Sequence, residues 1–280
     1  MKKQKGGCGM KDFFENGQLQ MDGTTMDYIR FGAGEKHLIF LPGLGDGLHT
    51  VKGTALPMAA LYRAYGKRYT VWMFSRKNDL PAGYTTRDMA TDVKKAMVQL
   101  RIPRAHIVGV SMGGMIAQFL AADYPEKVDR LVLTVTCPRP NALLRDAVIT
   151  WMKQARWGKH RELMEDNLRR MYSPKYVRTA QWTVPLLSAV TKPASYDRFL
   201  VQAQACMDHN AVSVLHQITA PTLVIGGEKD CALGADGSRE LAQMIALAEL
   251  YLYPNGTHAL YEEERDFNGR VLDFLARPLV

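Results

Sequence analysis

Serine and cysteine are both scarce in this chain, with seven serines and four cysteines among 280 residues. The cysteines lie far apart at Cys8, Cys137, Cys206 and Cys231, with no Cys-x-x-Cys spacing and no histidine cluster beside them. That pattern excludes a disulfide scaffold and a zinc ribbon, and reduced thiols in a cytoplasm are the expectation. No run of 18 apolar residues occurs, which excludes a conventional membrane-spanning helix. The opening Met1-Lys2-Lys3-Gln4-Lys5 is basic, but no apolar core follows it, so an export signal is not expected either. Internal repeats and low-complexity stretches are also missing, which removes solenoids and arrays.

Acidic residues are in deficit, 28 against 36 lysines and arginines, for a net charge of +8 and a pI near 9.3. The excess is not a nucleic-acid footprint. Residues 141–210 hold 11 basic and 6 acidic side chains, +5 of the +8, spread singly along helix-like stretches rather than gathered into a basic run with interleaved aromatics. A solvated face accounts for this. The functional alternative is that the excess draws anionic substrates towards a nearby cleft. No nucleic-acid partner is expected.

What is present is an ordinary globular composition, 47% hydrophobic and 23% charged, with enough chain for one large domain or a domain plus an insertion. Residues 24–31 and 36–41 read as strands around the turn Gly32-Ala33-Gly34. The second strand runs into Pro42-Gly43-Leu44-Gly45-Asp46-Gly47. Residues 69–74 read as a buried strand. Met89, Val93, Met97 and Leu100 form one apolar stripe of a helix over 86–100. Ile107, Val108 and Val110 then lead through Gly109-Val110-Ser111-Met112-Gly113 into strong helix formers, a helix expected to end near Tyr124-Pro125. A strand follows over 128–135.

This alternation implies a mostly parallel sheet with helices on both faces. It breaks at Pro138-Arg139-Pro140, and residues 141–212 look helical throughout, with three of the four tryptophans, Trp151, Trp157 and Trp182. It resumes with a strand over 221–227, a helix over 238–247, a short strand over 250–253 and a closing helix over 262–275. The expected organisation is a core of residues 1–137 and 213–280, interrupted by a helical insertion over 138–212.

Five residues around a serine are weak evidence alone, but their context strengthens them. A serine between strand and helix is held in strained backbone geometry with its hydroxyl exposed, and glycines flank it because side chains there would collide. The hydroxyl needs a base, usually a neutral histidine, and the histidine needs a carboxylate to hold its tautomer. Asp230, closing Gly227-Glu228-Lys229-Asp230, and His258, in Pro254-Asn255-Gly256-Thr257-His258, each follow a strand. Both therefore belong on the same sheet edge as Ser111. Glu228 and Asp236 are the rival acids. His209 and His216 suit packing or surface roles, and His37 and His106 lie in strands. A tetrahedral oxyanion needs two backbone N–H donors. Met112, after the serine, and Leu44, in the glycine-rich turn, are the candidates.

These four segments, Leu41-Pro42-Gly43-Leu44-Gly45, Gly109-Val110-Ser111-Met112-Gly113-Gly114, Gly227-Glu228-Lys229-Asp230 and Gly256-Thr257-His258, resemble the α/β-hydrolase fold superfamily, in its serine-nucleophile, esterase-like branch, over nearly the whole chain. The resemblance implies that the insertion over 138–212 is a helical cap above a Ser111–His258–Asp230 site. It departs from the common pattern in two places. Pro42-Gly43 stands where many members carry His-Gly. Ser75-Arg76-Lys77-Asn78-Asp79-Leu80 replaces the Asp-x-Arg-Gly-x-Gly-x-Ser segment. Ala259 stands where carbon–carbon bond hydrolases of the meta-cleavage type usually have tryptophan. A serine nucleophile also argues against haloalkane dehalogenases and epoxide hydrolases.

The expectation is a serine hydrolase acting on an ester or thioester of a small acyl compound, without metal or cofactor. An acyltransferase or cofactor-free perhydrolase with the same three residues, a carbon–carbon bond hydrolase and a non-enzymatic ligand receptor are the alternatives. Trp151, Trp157, Trp182, Met152, Met164 and Met171 either line an acyl pocket or form plain core. The sequence sets no oligomeric state.

Overall fold

The computed structural model describes residues 14–278. The basic N-terminal stretch and Cys8 lie outside the described residues. One eight-stranded sheet organises the chain, in the order β1-β2-β4-β3-β5-β6-β7-β8. Its strands are β1 (Phe14–Met21), β2 (Thr24–Phe31), β3 (Lys36–Leu41), β4 (Tyr69–Lys77), β5 (Ala105–Val110), β6 (Val128–Thr134), β7 (Thr222–Gly227) and β8 (Ala248–Tyr253). The pairs β1–β2 and β2–β4 are antiparallel, and every pairing from β4 through β3 to β8 is parallel. The strands of the parallel part therefore end on a common edge, which is where loops converge in open sheets of this kind.

The helices are α1 (Ala55–Leu61), α2 (Arg63–Gly66), α3 (Thr86–Gln99), α4 (Met112–Asp123), α5 (Ala142–Arg156), α6 (His160–Met171), α7 (Pro174–Ala180), α8 (Val184–Val190), α9 (Asp197–Met207), α10 (Asp236–Met244), α11 (Leu260–Glu263) and α12 (Phe267–Ala276). Two apolar clusters cover the two faces of the sheet. One gathers Ile39, Ile107 and Leu133 with Met89 and Met97 of α3 and most of α4. The other gathers Leu38, Val108, Val132 and Ile225 with Val271 and Phe274 of α12. Period-2 alternation along each strand sends successive side chains to opposite faces, so both need apolar residues.

Helix α3 starts on a capping box. The Thr85 side chain accepts from the Asp88 N–H, and the Asp88 carboxylate accepts from the Thr85 N–H. Helix α4 ends at Asp123, where Pro125 keeps Tyr124 out of helical geometry, at φ −134° and ψ +58°. Between β6 and β7 there are helices and no strand, as the break in alternation implies. The segment expected as one closing helix is instead two, α11 and α12, separated by a turn. Strand β1 and helices α1 and α2 are additions to the sequence reading. No described helix is long and apolar enough to cross a membrane.

Candidate active site

Ser111 sits between β5 and α4 at φ +53°, ψ −119°, a left-handed conformation costing a non-glycine residue about 1–3 kcal/mol. Local bonds hold it there. Its N–H donates to the Thr134 carbonyl at 2.9 Å, and its carbonyl accepts from Thr136 Oγ1 at 2.8 Å. The two motif glycines make the turn sterically feasible. A Cβ on Gly109 would lie 2.6 Å from the Gly113 carbonyl oxygen, and one on Gly113 would run into the Leu41 carbonyl. The sharp reversal thus depends on bare backbone on both sides of the serine.

His258 follows β8 through a short turn and is almost fully buried. Its Nε2 lies 3.0 Å from Ser111 Oγ, and its Nδ1 lies 2.8 Å from Asp230 Oδ2. A carboxylate only accepts, so Nδ1 carries the proton and donates to Asp230, which leaves the Nε2 lone pair to accept from the Ser111 hydroxyl. Asp230 is itself fixed. Its other oxygen accepts from the N–H groups of Ala232 at 2.8 Å and Leu233 at 2.9 Å. The three residues named from the sequence are therefore brought into one hydrogen-bonded line from the edges of β5, β7 and β8. A hydroxyl so placed can pass its proton to the imidazole as it attacks an electrophilic carbon.

The rival residues lie elsewhere. Glu228 pairs with Arg239 at the surface, and the Asp236 side chain is 97% exposed. His209 is buried, with its Nδ1 2.9 Å from Thr86 Oγ1. His216 is exposed. His37 accepts from Trp72 Nε1 at 3.2 Å, and His106 packs edge-on against Tyr69.

Leu44 opens a 3-10 turn over Leu44–Gly47, and Met112 opens α4. The first N–H groups of a helix have no carbonyl a turn behind them. Among the described residues neither N–H enters a turn or loop hydrogen bond. The turn stands against the serine: a Cβ on Gly43 would lie 3.4 Å from Ser111 Cβ. Beneath the turn is an arrangement that sequence reasoning missed. The buried Asp46 carboxylate meets Arg198 Nη2 of α9 at 2.5 Å and Arg76 Nη1 of β4 at 3.8 Å. Arg76 also donates to the Pro42 carbonyl. Arg76 lies in the segment that departs from the common superfamily pattern, which was the available signal; no local pattern singles out Arg198.

Ser111, His258 and Leu44 open onto a cavity of about 690 Å³. Helices α5, α6 and α8 supply much of its opposite wall, including Trp151, Leu163, Met164 and Met171. The residues expected either to line a pocket or to form core divide between several roles. Trp151, Met164 and Met171 face the cavity, Met152 is core, and Trp157 and Trp182 are exposed.

A profile of the alpha/beta hydrolase fold matches residues 36–167. The RutD protein of Variovorax paradoxus (strain S110), named for carbamate hydrolysis, is 32% identical over 213 residues, 71% of this chain and 76% of that protein. A 2-hydroxy-6-oxononadienedioate/2-hydroxy-6-oxononatrienedioate hydrolase of a Pseudomonas species is 30% identical over 203 residues, 67% of this chain and 69% of that protein. Among solved structures, MGS-M2, an alpha/beta hydrolase enzyme from a Medee basin deep-sea metagenome library, superposes with a TM-score of 0.82 at 23% identity, covering 94% of this chain and 98% of that one. With this sheet order and these relatives, the chain belongs to the α/β-hydrolase fold family.

Proposed function

We propose that this hydrolase cleaves an ester or thioester of a small acyl compound through an acyl-enzyme on Ser111. The observation that carries the reading is the unbroken Ser111–His258–Asp230 line, at 3.0 and 2.8 Å, beside an apolar cavity. Ser111 Oγ attacks the carbonyl carbon while His258 Nε2 takes its proton. Asp230 holds the imidazole tautomer and stabilises the imidazolium. The oxyanion is received by the N–H groups of Leu44 and Met112. His258 returns the proton to the leaving oxygen or sulfur, then activates the water that releases the acid.

In this reading the helical segment 138–212 is a cap, and its inner surface selects the acyl group. The substrate in the name of the Pseudomonas relative is a dicarboxylate. Among the described residues no lysine or arginine lines this cavity, so a dianion of that kind would find no permanent cation of theirs there. The same fact speaks against recruitment of anionic substrates by the basic excess of residues 141–210.

The test is turnover of a short p-nitrophenyl ester by the wild type and by Ser111→Ala. The variant is expected to lose activity by about 10⁴-fold or more while its circular dichroism stays unchanged. Retained turnover in a folded Ser111→Ala protein would sink the assignment. Labelling of the wild-type serine by a fluorophosphonate separates a working nucleophile from a ligand receptor on the same fold.

A further inference from the structure

The cavity wall beyond the Ser111–His258–Asp230 line carries a carboxylate with no counter-ion among the described residues. Glu262 lies on α11, four residues after His258, and is exposed where it lines the cavity. Its Oε2 accepts the Tyr172 hydroxyl at 2.8 Å. Among the described residues no lysine, arginine or histidine forms an ion pair with it. The other carboxylate in the wall, Asp46, is already engaged by Arg198 and Arg76. A phenol neutralises no charge, and an ionised carboxylate offers about four acceptor positions.

Aromatic rings surround this carboxylate. Tyr172 stacks on Tyr176 with centroids 4.4 Å apart and planes 16° apart, and Tyr62 and Tyr261 line the same cavity. Backbone geometry fixes the group. The Ala259 N–H donates to the Met171 carbonyl at 2.8 Å. Ser173 Oγ and Thr257 Oγ1 both donate to Glu263, at 2.5 and 2.7 Å. The end of α6 and the start of α11 are thereby tied together, with Tyr172 and Glu262 facing one another across the join. Poor solvation inside the cavity, onto which its exposed surface opens, raises the Glu262 carboxyl above its ordinary range, with the Glu263 charge adding to it and the Tyr172 and Tyr261 phenols acting the other way. Tyr62 is close enough for the Glu262 charge to reinforce the effect of burial, and its phenol stands at about 12.

A carboxylate beside several tyrosine rings, with no lysine or arginine of the described residues in the cavity lining, is the chemistry that receives an ammonium or quaternary ammonium group. We propose that the cavity binds substrates with a positively charged nitrogen, held by Glu262 and the rings of Tyr62, Tyr172, Tyr176 and Tyr261 while the scissile carbonyl rests at Ser111. This assignment deepens the hydrolase reading and rests on it. The lysines and arginines of the described residues lie outside the cavity lining, so discrimination arises from contacts inside it rather than from the long-range field.

Two esters of equal shape test the assignment: butyrylcholine and 3,3-dimethylbutyl butyrate, which differ by a cationic nitrogen in place of carbon. The wild type is expected to show kcat/KM at least about 10-fold higher for the choline ester, and Glu262→Gln to bring the ratio to about one. Tyr176→Leu, altering a partly exposed ring, is expected to lower the ratio as well. A wild-type ratio of one or below overturns the assignment while leaving the hydrolase reading intact. Saturation-transfer NMR with choline and 3,3-dimethylbutan-1-ol reads the site without turnover. A trimethylammonium signal in the wild type that is lost in folded Glu262→Gln supports the cation site even if neither ester is cleaved, a result that would count against the hydrolase reading alone. Equal choline signals in the two proteins overturn the site.

Discussion

Arg198 Nη2 meets the Asp46 carboxylate at 2.5 Å and so ties α9, in the helical segment, to the turn that begins at Leu44. The same guanidinium donates to the carbonyls of Arg76 at 2.9 Å and Lys77 at 3.0 Å. One side chain therefore sets the turn against the end of β4. Arg198→Ala leaves a buried carboxylate facing only Arg76, and breaking such a pair is expected to cost about 3 kcal/mol. The turn would also loosen, so kcat for a p-nitrophenyl ester should fall about 10-fold or more with a smaller change in KM. Arg198→Lys keeps the charge but not the planar fork, and should recover stability better than kcat. If kcat held in both variants, the Leu44 turn would not depend on this contact.

Asp230→Asn should abolish most turnover without disturbing packing. An asparagine amide can donate to Nδ1, which moves the imidazole proton to Nε2 and points it at Ser111 Oγ. The serine then has no base. The same exchange in serine protease triads costs about 10⁴-fold in kcat, and a loss of that order is expected here with KM within a few-fold. Steady-state kinetics on a chromogenic ester, with thermal melting as the folding control, would measure it. A loss below about 10-fold would remove Asp230 from the role proposed for it.

The sequence made the parallel part of the sheet legible because β4, β5, β6 and β7 are short apolar runs buried on both faces, β3 becomes one after its first two residues, and the edge strand β8 still carries the apolar run Leu250-Tyr251-Leu252-Tyr253. Ser111, Asp230 and His258 were legible because each directly follows such a strand. Strand β1 was not, since Phe14–Met21 is a largely exposed edge carrying Asn16, Gly17, Gln18 and Gln20, with no apolar run to betray it. Helix α1, with Pro57 inside it and a single buried residue, also lacks a periodic stripe. Arg198 and Glu262 escaped notice for a different reason. Their partners Asp46 and Tyr172 are 152 and 90 residues away, and no local spacing encodes such a meeting. The basic excess left two readings open for a related reason: composition counts charges but does not say which of them face the cavity.

Gly43→Ala separates the fold from the site. Gly43 has φ −70° and ψ −166°, extended backbone that alanine adopts without strain. Its added methyl would sit 3.4 Å from Ser111 Cβ and 3.9 Å from Ser111 Oγ, so the protein can accommodate it. Stability should change by less than about 1 kcal/mol. The methyl does, however, occupy space beside the attacking oxygen, where an acyl carbonyl would have to lie. A fall in kcat/KM of about 10-fold or more is expected, read alongside a chemical denaturation curve. Unchanged kinetics would move the carbonyl site away from the Leu44 turn.

The buried histidines outside the site should make the fold acid-sensitive. Burial lowers His106 from its ordinary value of 6.5 to about 4 and His209 to about 3, so both stay neutral in the folded chain where the unfolded chain binds protons. Their contribution to stability is complete above about pH 6.5. It is lost as the pH falls from there towards about 4 for His106 and about 3 for His209. At pH 5 each imidazole should have removed about 2 kcal/mol. His106 isolates the effect, because among the described residues neither of its ring nitrogens has a hydrogen-bond partner and its ring packs edge-on against Tyr69. Phenylalanine can take that place without titrating. His106→Phe should therefore lose about 2 kcal/mol less than the wild type between pH 7 and pH 5 in urea unfolding. Carboxylates titrate in both proteins and cancel in the comparison, so equal losses would mean that His106 is protonated in the folded state.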